Sequence, residues 1–328
     1  MSGALNPRGE SERSARPAVG SRGFSFDQVY HGLLVAAAVF VFIVVALIVF
    51  EVVRGALPSI RTIGWGFLVR TDWDPVANKF GALPYVYGTL VSSLLALILA
   101  VPIGIGSAVF LAELAGRRLS DITSFVMELL AAIPSIVFGI WGLFVLAPFL
   151  RTNIEPWLIR HFGNLPLFHG YPFGIGMLNA GIVLSIMILP TIVSISREVL
   201  LATPRSLREA SLALGATRAE SIGVTLDAAR PGILGAVILA LGRALGETMA
   251  VTMVIGNTNR ISFSLLDPSA TMASIIANEF TEATTDLYLS ALIQIALVLF
   301  VVTLVVNALA RGLVLWTTGG RRDVAGAA

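Results

Sequence analysis

The sequence predicts an all-α integral membrane protein of about six transmembrane helices, and three observations lead there. Of the 328 residues, 56% are hydrophobic and only 13% charged, against about 25% charged in a soluble domain. Mean hydropathy is high, at +0.87. The charges that do occur gather between long uncharged stretches, each near the roughly 20 residues needed to cross a hydrocarbon core. A formal net charge of +2 offers no whole-molecule attraction to nucleic acid, so lipid is the expected surroundings. The absence of cysteine excludes disulfides and a thiol nucleophile. With three scattered histidines and no thiols, there is nothing from which to build a zinc site.

Residues 1–27 are rich in Ser, Gly, Pro and Arg and lack apolar periodicity, as a disordered cytoplasmic tail does. The first apolar run, about His31–Val53, is too long for a signal-peptide core and has no small-residue cleavage site after it. It is expected as a retained helix that, with an external segment, makes up residues 28–82. Trp65 and Trp73 fall in that segment, which suits either the membrane surface or an external partner. A core over 83–316 follows, with spans at about Leu83–Leu111, Phe125–Leu146, Gly174–Ser196, Ala229–Ile255 and Leu287–Trp316. Residues 317–328 form a second tail. Pro102, Pro134 and Pro190 fall inside three of these spans, where ordinary helix bends account for them.

Orientation follows from the basic residues. With the N-terminus in the cytoplasm, the inner segments carry fourteen Lys and Arg residues and the outer ones seven. By the positive-inside rule both termini lie inside.

The longest inner connection, 197–230, is patterned rather than random. From Ser206 to Ile222 apolar Leu207, Ala210, Leu214 and Ile222 alternate with charged Arg208, Glu209, Arg218 and Glu220. Pro204 suits a helix start, and Gly215 suits the end of one short helix and the opening of another. Two short helices at the cytoplasmic face are expected, fit either to rest on lipid or to dock in a protein groove.

The fifth span holds Arg243 and Glu247. If the helix begins near Ala229, Arg243 lies about 21 Å along it. A charged residue at that depth costs at least ~2.5–3.5 kcal/mol on insertion scales. Positions i and i+4 share a helix face, so Glu247 is expected to accept a hydrogen bond from Arg243, and a purely structural ion pair is one reading. The other is that Arg243 lines a path for an anion, because its permanent charge and donor fork match an oxyanion. Gly242 and Gly246 leave room either for a neighbouring helix or for a small solute.

Two groups of residues resemble a known family. Arg208-Glu209-Ala210-Ser211, three further residues and then Gly215 resemble the EAA loop of ATP-binding-cassette importer permeases, although the Leu-Pro ending common there is Leu226-Asp227 here. GRALGETMAVTMVIGN, with Phe80-Gly81-Ala82-Leu83-Pro84, Gly88-Thr89-Leu90 and Ala132-Ile133-Pro134-Ser135, resembles the PstC-type permeases of phosphate importers. That resemblance covers all but the first two dozen residues. It implies the type I ABC importer permease architecture, with phosphate as cargo in a bacterial plasma membrane. It also implies a PstA-type second permease, two copies of a PstB-type ATPase and a PstS-type external binding protein. In such a subunit Arg243 and Glu247 would serve translocation, while Glu209, Ala210 and Gly215 would couple the ATPase.

No cofactor or catalytic residue is expected. The sole lysine, Lys79, is followed by Phe80, so no phosphate-binding loop of the Walker type can exist, and ATP must be bound by the partner subunit. Glu113 and Glu128 are read as charges at span ends. Three alternatives stay open: a permease for sulfate or molybdate, a membrane enzyme using Arg243 and Glu247, or an ungated anion channel.

Overall fold

The computed structural model describes residues 26–319. Among them, six helical stretches are long and apolar enough to cross a membrane. The tails expected at 1–27 and 317–328 fall almost wholly outside the described residues; Phe26 and Asp27 open the first helix and the last runs to Gly319. The chain divides into two units, residues 1–50 and 51–328. In the first, helix α1 (Phe26–Ile63) begins and exposes Phe40, Phe42 and Leu47. A helix bonds its own backbone internally, so apolar side chains on every side suit hydrocarbon.

In the second unit α1 ends and a short helix α2 (Gly66–Val69) follows. Asp74 and Lys79 then exchange backbone hydrogen bonds of 2.8 and 3.0 Å across a tight turn. Helix α3 (Leu83–Val109) is prolonged by a π-helical turn, Phe110–Leu114. Helix α4 (Arg117–Ala132) is amphipathic and separate. The third span is wound from α5 (Ser135–Trp141), α6 (Ala147–Phe149) and α7 (Glu155–Phe162), joined by π-helical turns. Helices α8 (Met177–Ala202), α9 (Arg205–Ala213) and α10 (Arg218–Leu245) follow, then α11 (Met249–Val254), α12 (Met272–Glu279) and α13 (Asp286–Gly319).

The expected third span, Phe125–Leu146, is therefore corrected to 135–162. It had merged the end of α4 with the start of α5. Ile133 adopts an extended backbone with ψ 129°, as a residue before proline does, so Pro134 heads a new helix instead of bending one. Pro102 and Pro190 do lie inside α3 and α8.

Helix α8 sits at the centre of the second unit. Its Leu184, Met187, Ile188 and Ile192 are buried with Ala96 and Ala100 of α3, Ala240 and Ala244 of α10, and Val251 and Val254 of α11. Gly181 and Gly104 make the contact between α3 and α8 close. A Cβ at Gly181 would stand 2.4 Å from Leu95 Cδ2, and one at Gly104 2.7 Å from Ile192 Cγ2. In lipid, where the hydrophobic effect does not pull helices together, such close packing is a main source of association. Polar groups fasten α1 to α13: Ser59 N donates to Ser290 Oγ at 2.9 Å, and Ser59 Oγ donates to Gln294 Oε1 at 2.6 Å.

The segment before α3 folds inward. Trp73 packs edge-on against Phe80 and Tyr85. Its Nε1 donates to Glu279 Oε2 at 2.5 Å, and Tyr288 Oη donates to the same oxygen at 2.6 Å. Trp73 is thus an interior ring, whereas Trp65 is exposed.

The Gly88-Thr89 pair also has a packing explanation. Thr89 Oγ1 accepts from Met272 N at 2.9 Å, and a Cβ at Gly88 would lie 2.1 Å from the Ala270 carbonyl oxygen. That oxygen is backbone and cannot swing aside. Gly88→Ala should cost about 1–3 kcal/mol and lower the midpoint of thermal unfolding in detergent. Gly223→Ala is the control: nothing stands within 4 Å of its Cβ, so helix propensity should hold or raise the midpoint.

Candidate functional site

An open cleft of about 1180 Å³ runs along α10 and α13, with Thr191 of α8 at its edge. Its walls are apolar (Ile238, Leu239, Phe300 and Leu304), while Arg243, Thr303, Asn307 and Arg311 supply polar groups. Two glycines keep it open. A Cβ at Gly235 would meet nothing within 4 Å, and one at Gly242 would meet only Asn307 Nδ2, at 3.9 Å.

Arg243 lines this cleft, but not as part of the expected helix. The span expected at Ala229–Ile255 begins instead at Arg218 and stops at Leu245, so Arg243 lies in its last turn. After a break at Gly246–Thr248, α11 begins at Met249. The i, i+4 geometry is lost with the helix, and the expected bond from Arg243 to Glu247 does not form. Glu247 Oε1 instead accepts from Ala250 N at 3.1 Å, satisfying one of the free donors that any helix start leaves. Arg243 Nη1 donates to Thr191 Oγ1 at 3.4 Å. The ion pairs among the described residues are Arg54–Glu51, Arg197–Asp121 and Arg208–Glu113. Arg243 has no carboxylate partner among them, so most of its five donors stay uncommitted beside the cleft.

A second constellation is the elbow between α8 and α10. Thr203 is extended ahead of Pro204, which leads into α9. At the far end Gly215 N donates to Leu212 O at 3.0 Å and Ala216 N to Ser211 O at 3.1 Å. Gly215 has φ +88°; together these define a Schellman ending, in which the left-handed residue is usually glycine. Thr217 then caps α10: its Oγ1 accepts from Glu220 N, and Glu220 Oε2 accepts from Thr217 N at 2.7 Å. The second helix of the elbow is thus not short, as expected, but the opening of the span itself. No helix end separates them, because the capping box starts a helix that nothing stops before Leu245.

Glu209 and Ala210 lie exposed on α9, as does Gly215 at its end. Around them Leu207, Leu212 and Leu214 are exposed, Leu214 to 90%. Arg208 faces the other way. Its Nη2 meets Glu113 Oε1 and donates to Leu200 O at 3.3 Å, while its Nε donates to Thr225 Oγ1 at 3.4 Å. Ser211 Oγ donates to Ser221 Oγ at 2.9 Å. The structure therefore keeps Arg243 and Glu247 near one helix break, and Glu209, Ala210 and Gly215 on one exposed elbow.

Sequence reasoning missed several of these partners. Asn307 was visible as a lone amide in an apolar run, and Thr191 as a hydroxyl beside Pro190. No spacing links Glu113 to Arg208, and only folding brings them together.

Residues 100–317 match the family described as binding-protein-dependent transport system inner membrane component. The chain is 47% identical over 304 residues to the phosphate transport system permease protein PstC of Mesorhizobium japonicum, covering 91% of this chain and 93% of that one. It is 45% identical over 316 residues to PstC of Xylella fastidiosa, covering 95% and 96%. Against a probable PstC of Methanocaldococcus jannaschii it is 38% identical over 282 residues, covering 84% and 90%. Among solved structures, a chain of the inward-facing MetNI methionine ABC transporter superposes with a TM-score of 0.54 at 19% identity, over 70% of this chain and 93% of that one. That last likeness is one of fold.

The elbow yields a test of its geometry. Gly215→Ala places a side chain at φ +88°, at a cost of about 1–2 kcal/mol per left-handed residue. Protease nicking between α9 and α10 should become several-fold faster than in the wild type, while Gly223→Ala should leave it unchanged.

Proposed function

Because the chain belongs to the binding-protein-dependent transport system inner membrane component family, we propose that it is the transmembrane permease subunit of an ATP-driven importer of inorganic phosphate. It works without catalysis of its own. Arg243 carries this reading: a permanent cation beside an open cleft at the end of a long span, with no carboxylate to neutralise it among the described residues. A guanidinium so placed costs several kcal/mol unless something answers its charge. A passing oxyanion does so, through the donor fork.

Glu247 follows on the same break and keeps the local charge balanced. Bound phosphate then meets Arg243 and Arg311 in the cleft and one nearby anion, which allows it to leave as well as to enter. The cleft is open along α10 and α13, so its facing wall comes from a second permease of PstA type. The elbow, with Glu209 and Ala210 exposed among leucines, is shaped to dock a separate ATPase, two copies of which serve the pair. Gly215 sets the elbow's turn and Pro204 its start. On this reading the elbow and both termini lie in the cytoplasm, in keeping with the excess of basic residues there. An external phosphate-binding protein of PstS type delivers the cargo to the opposite end. The relatives named PstC point to phosphate over sulfate or molybdate.

Uptake of radiolabelled phosphate and sulfate into vesicles holding the whole complex tests the proposal. Arg243→Ala should lower phosphate uptake about 10- to 100-fold, the range for losing one hydrogen-bonded charge, with the ATPase still bound. Arg243→Lys should fall between, since it keeps the charge and loses the fork. Normal uptake by Arg243→Ala, or sulfate uptake exceeding phosphate uptake in the wild type, would refute it. Glu209→Lys should release or uncouple the ATPase.

A further inference from the structure

We propose that Arg208 and Glu113 form the joint that carries movement of the α9 elbow into helix α3, making both positioning residues for coupled transport. The inference rests on the reading above that the ATPase docks on α9. Helices α8 and α10 are joined to α9 by the chain itself, through Thr203–Pro204 and through Leu214–Thr217. Helix α3 has no such covalent link. Its polar attachment to the elbow is a side-chain ion pair, beside the apolar packing of Ala108 against Leu200 and Ala229 at the helix ends.

The pair differs in kind from the other two. Arg54–Glu51 is exposed on both sides, and Arg197–Asp121 spans 3.8 Å with Asp121 in the open. Exposed pairs of that sort contribute little. The side chains of Arg208 and Glu113 are only 24% and 7% exposed. A carboxylate so shielded is costly unless paired, so Glu113 cannot let go of Arg208 without penalty. Arg208 is also held from behind. It donates to the carbonyl of Leu200, near the end of α8, which also accepts from Thr203 N at 3.2 Å. It donates as well to Thr225 of α10. One guanidinium thus ties together the elbow and the near ends of three long helices.

The position of Glu113 suits a moving part. It lies in the π-helical turn Phe110–Leu114 that ends α3, and such turns are irregular points often found at functional sites. Beside it, Glu209 and Ala210 face outward. A push on the outer face of α9 therefore reaches Glu113 through the residue immediately before Glu209.

The test uses the assembled complex in proteoliposomes, reading labelled phosphate transported per ATP hydrolysed together with the amount of ATPase bound. Glu113→Gln keeps the shape and removes the charge. It should retain the ATPase within twofold and lower phosphate per ATP at least fivefold. Arg208→Gln should do the same, and the double variant should be no worse than either single one, because the two act as a unit. Glu113→Asp should recover at least half of the ratio. An unchanged ratio would overturn the joint, whether or not less complex forms. So would additive losses in the double variant, or failure of Glu113→Gln to assemble, which would assign the pair to folding alone. Glu209→Lys separates this inference from the docking reading. If that variant loses the ATPase while Glu113→Gln stays coupled, the joint fails and the docking surface stands. If it binds the ATPase and transports normally, the docking surface fails and the joint falls with it.

Discussion

Hydrocarbon offers no hydrogen-bond partner, so every broken helix and every charge inside the spans must be answered by the protein itself. That constraint explains several of the buried polar residues of this chain. Around Gly174–Met177, where the chain turns into α8, Gly174 N donates to the buried carboxylate of Glu155 at 2.8 Å and Gly174 O accepts from Asn179 Nδ2 at 2.8 Å. Gly176 N and Met177 N donate to the carbonyls of Val254 and Asp267. The break after Leu245 is answered by the carboxylate of Glu247. These side chains serve backbone groups before they serve any solute. The uncommitted donors of Arg243 stand out against the committed carboxylate of Glu247 a few residues on.

Packing divides the second unit into a tight side and an open one. On the tight side Gly104 and Gly181 let α3 and α8 approach until a single methyl would collide, and alanines of α10 fill the remaining space. On the open side Gly235 and Gly242 meet almost nothing, and α10 and α13 leave a cleft. Glycine does opposite work in the two places: it brings helices together where a partner helix is present and holds space where one is absent. A subunit that makes half of a path, as proposed above, needs both.

The elbow is where we propose that the ATPase docks. Its ends are fixed by local chemistry, with Pro204 before it and a left-handed glycine and a capping box after it. Local chemistry of this kind transmits force only along the chain. Reaching α3, which is more than ninety residues away in sequence, takes contacts across the fold: apolar packing at the helix ends and an ion pair between shielded groups.

Much of this was legible in the amino-acid order alone. Six long apolar runs, the elbow's residues and an arginine within the fifth run followed from composition and spacing, because lipid sorts side chains by polarity along the chain. The turn at Gly215 was legible too, since a left-handed residue is a local demand. What the order could not decide was where long helices stop. The end of α10 at Leu245 depended on which groups could absorb the freed backbone donors, whereas α4 and α5 are separated locally, by Ile133 ahead of Pro134. Partner choice was equally hidden: spacing offered Glu247 to Arg243, but the break turned that carboxylate to the backbone. Arg208 finds its carboxylate on a helix that only the folded chain brings near. Polarity is a property of the residue and can be read in one dimension; pairing depends on distances that exist only after packing.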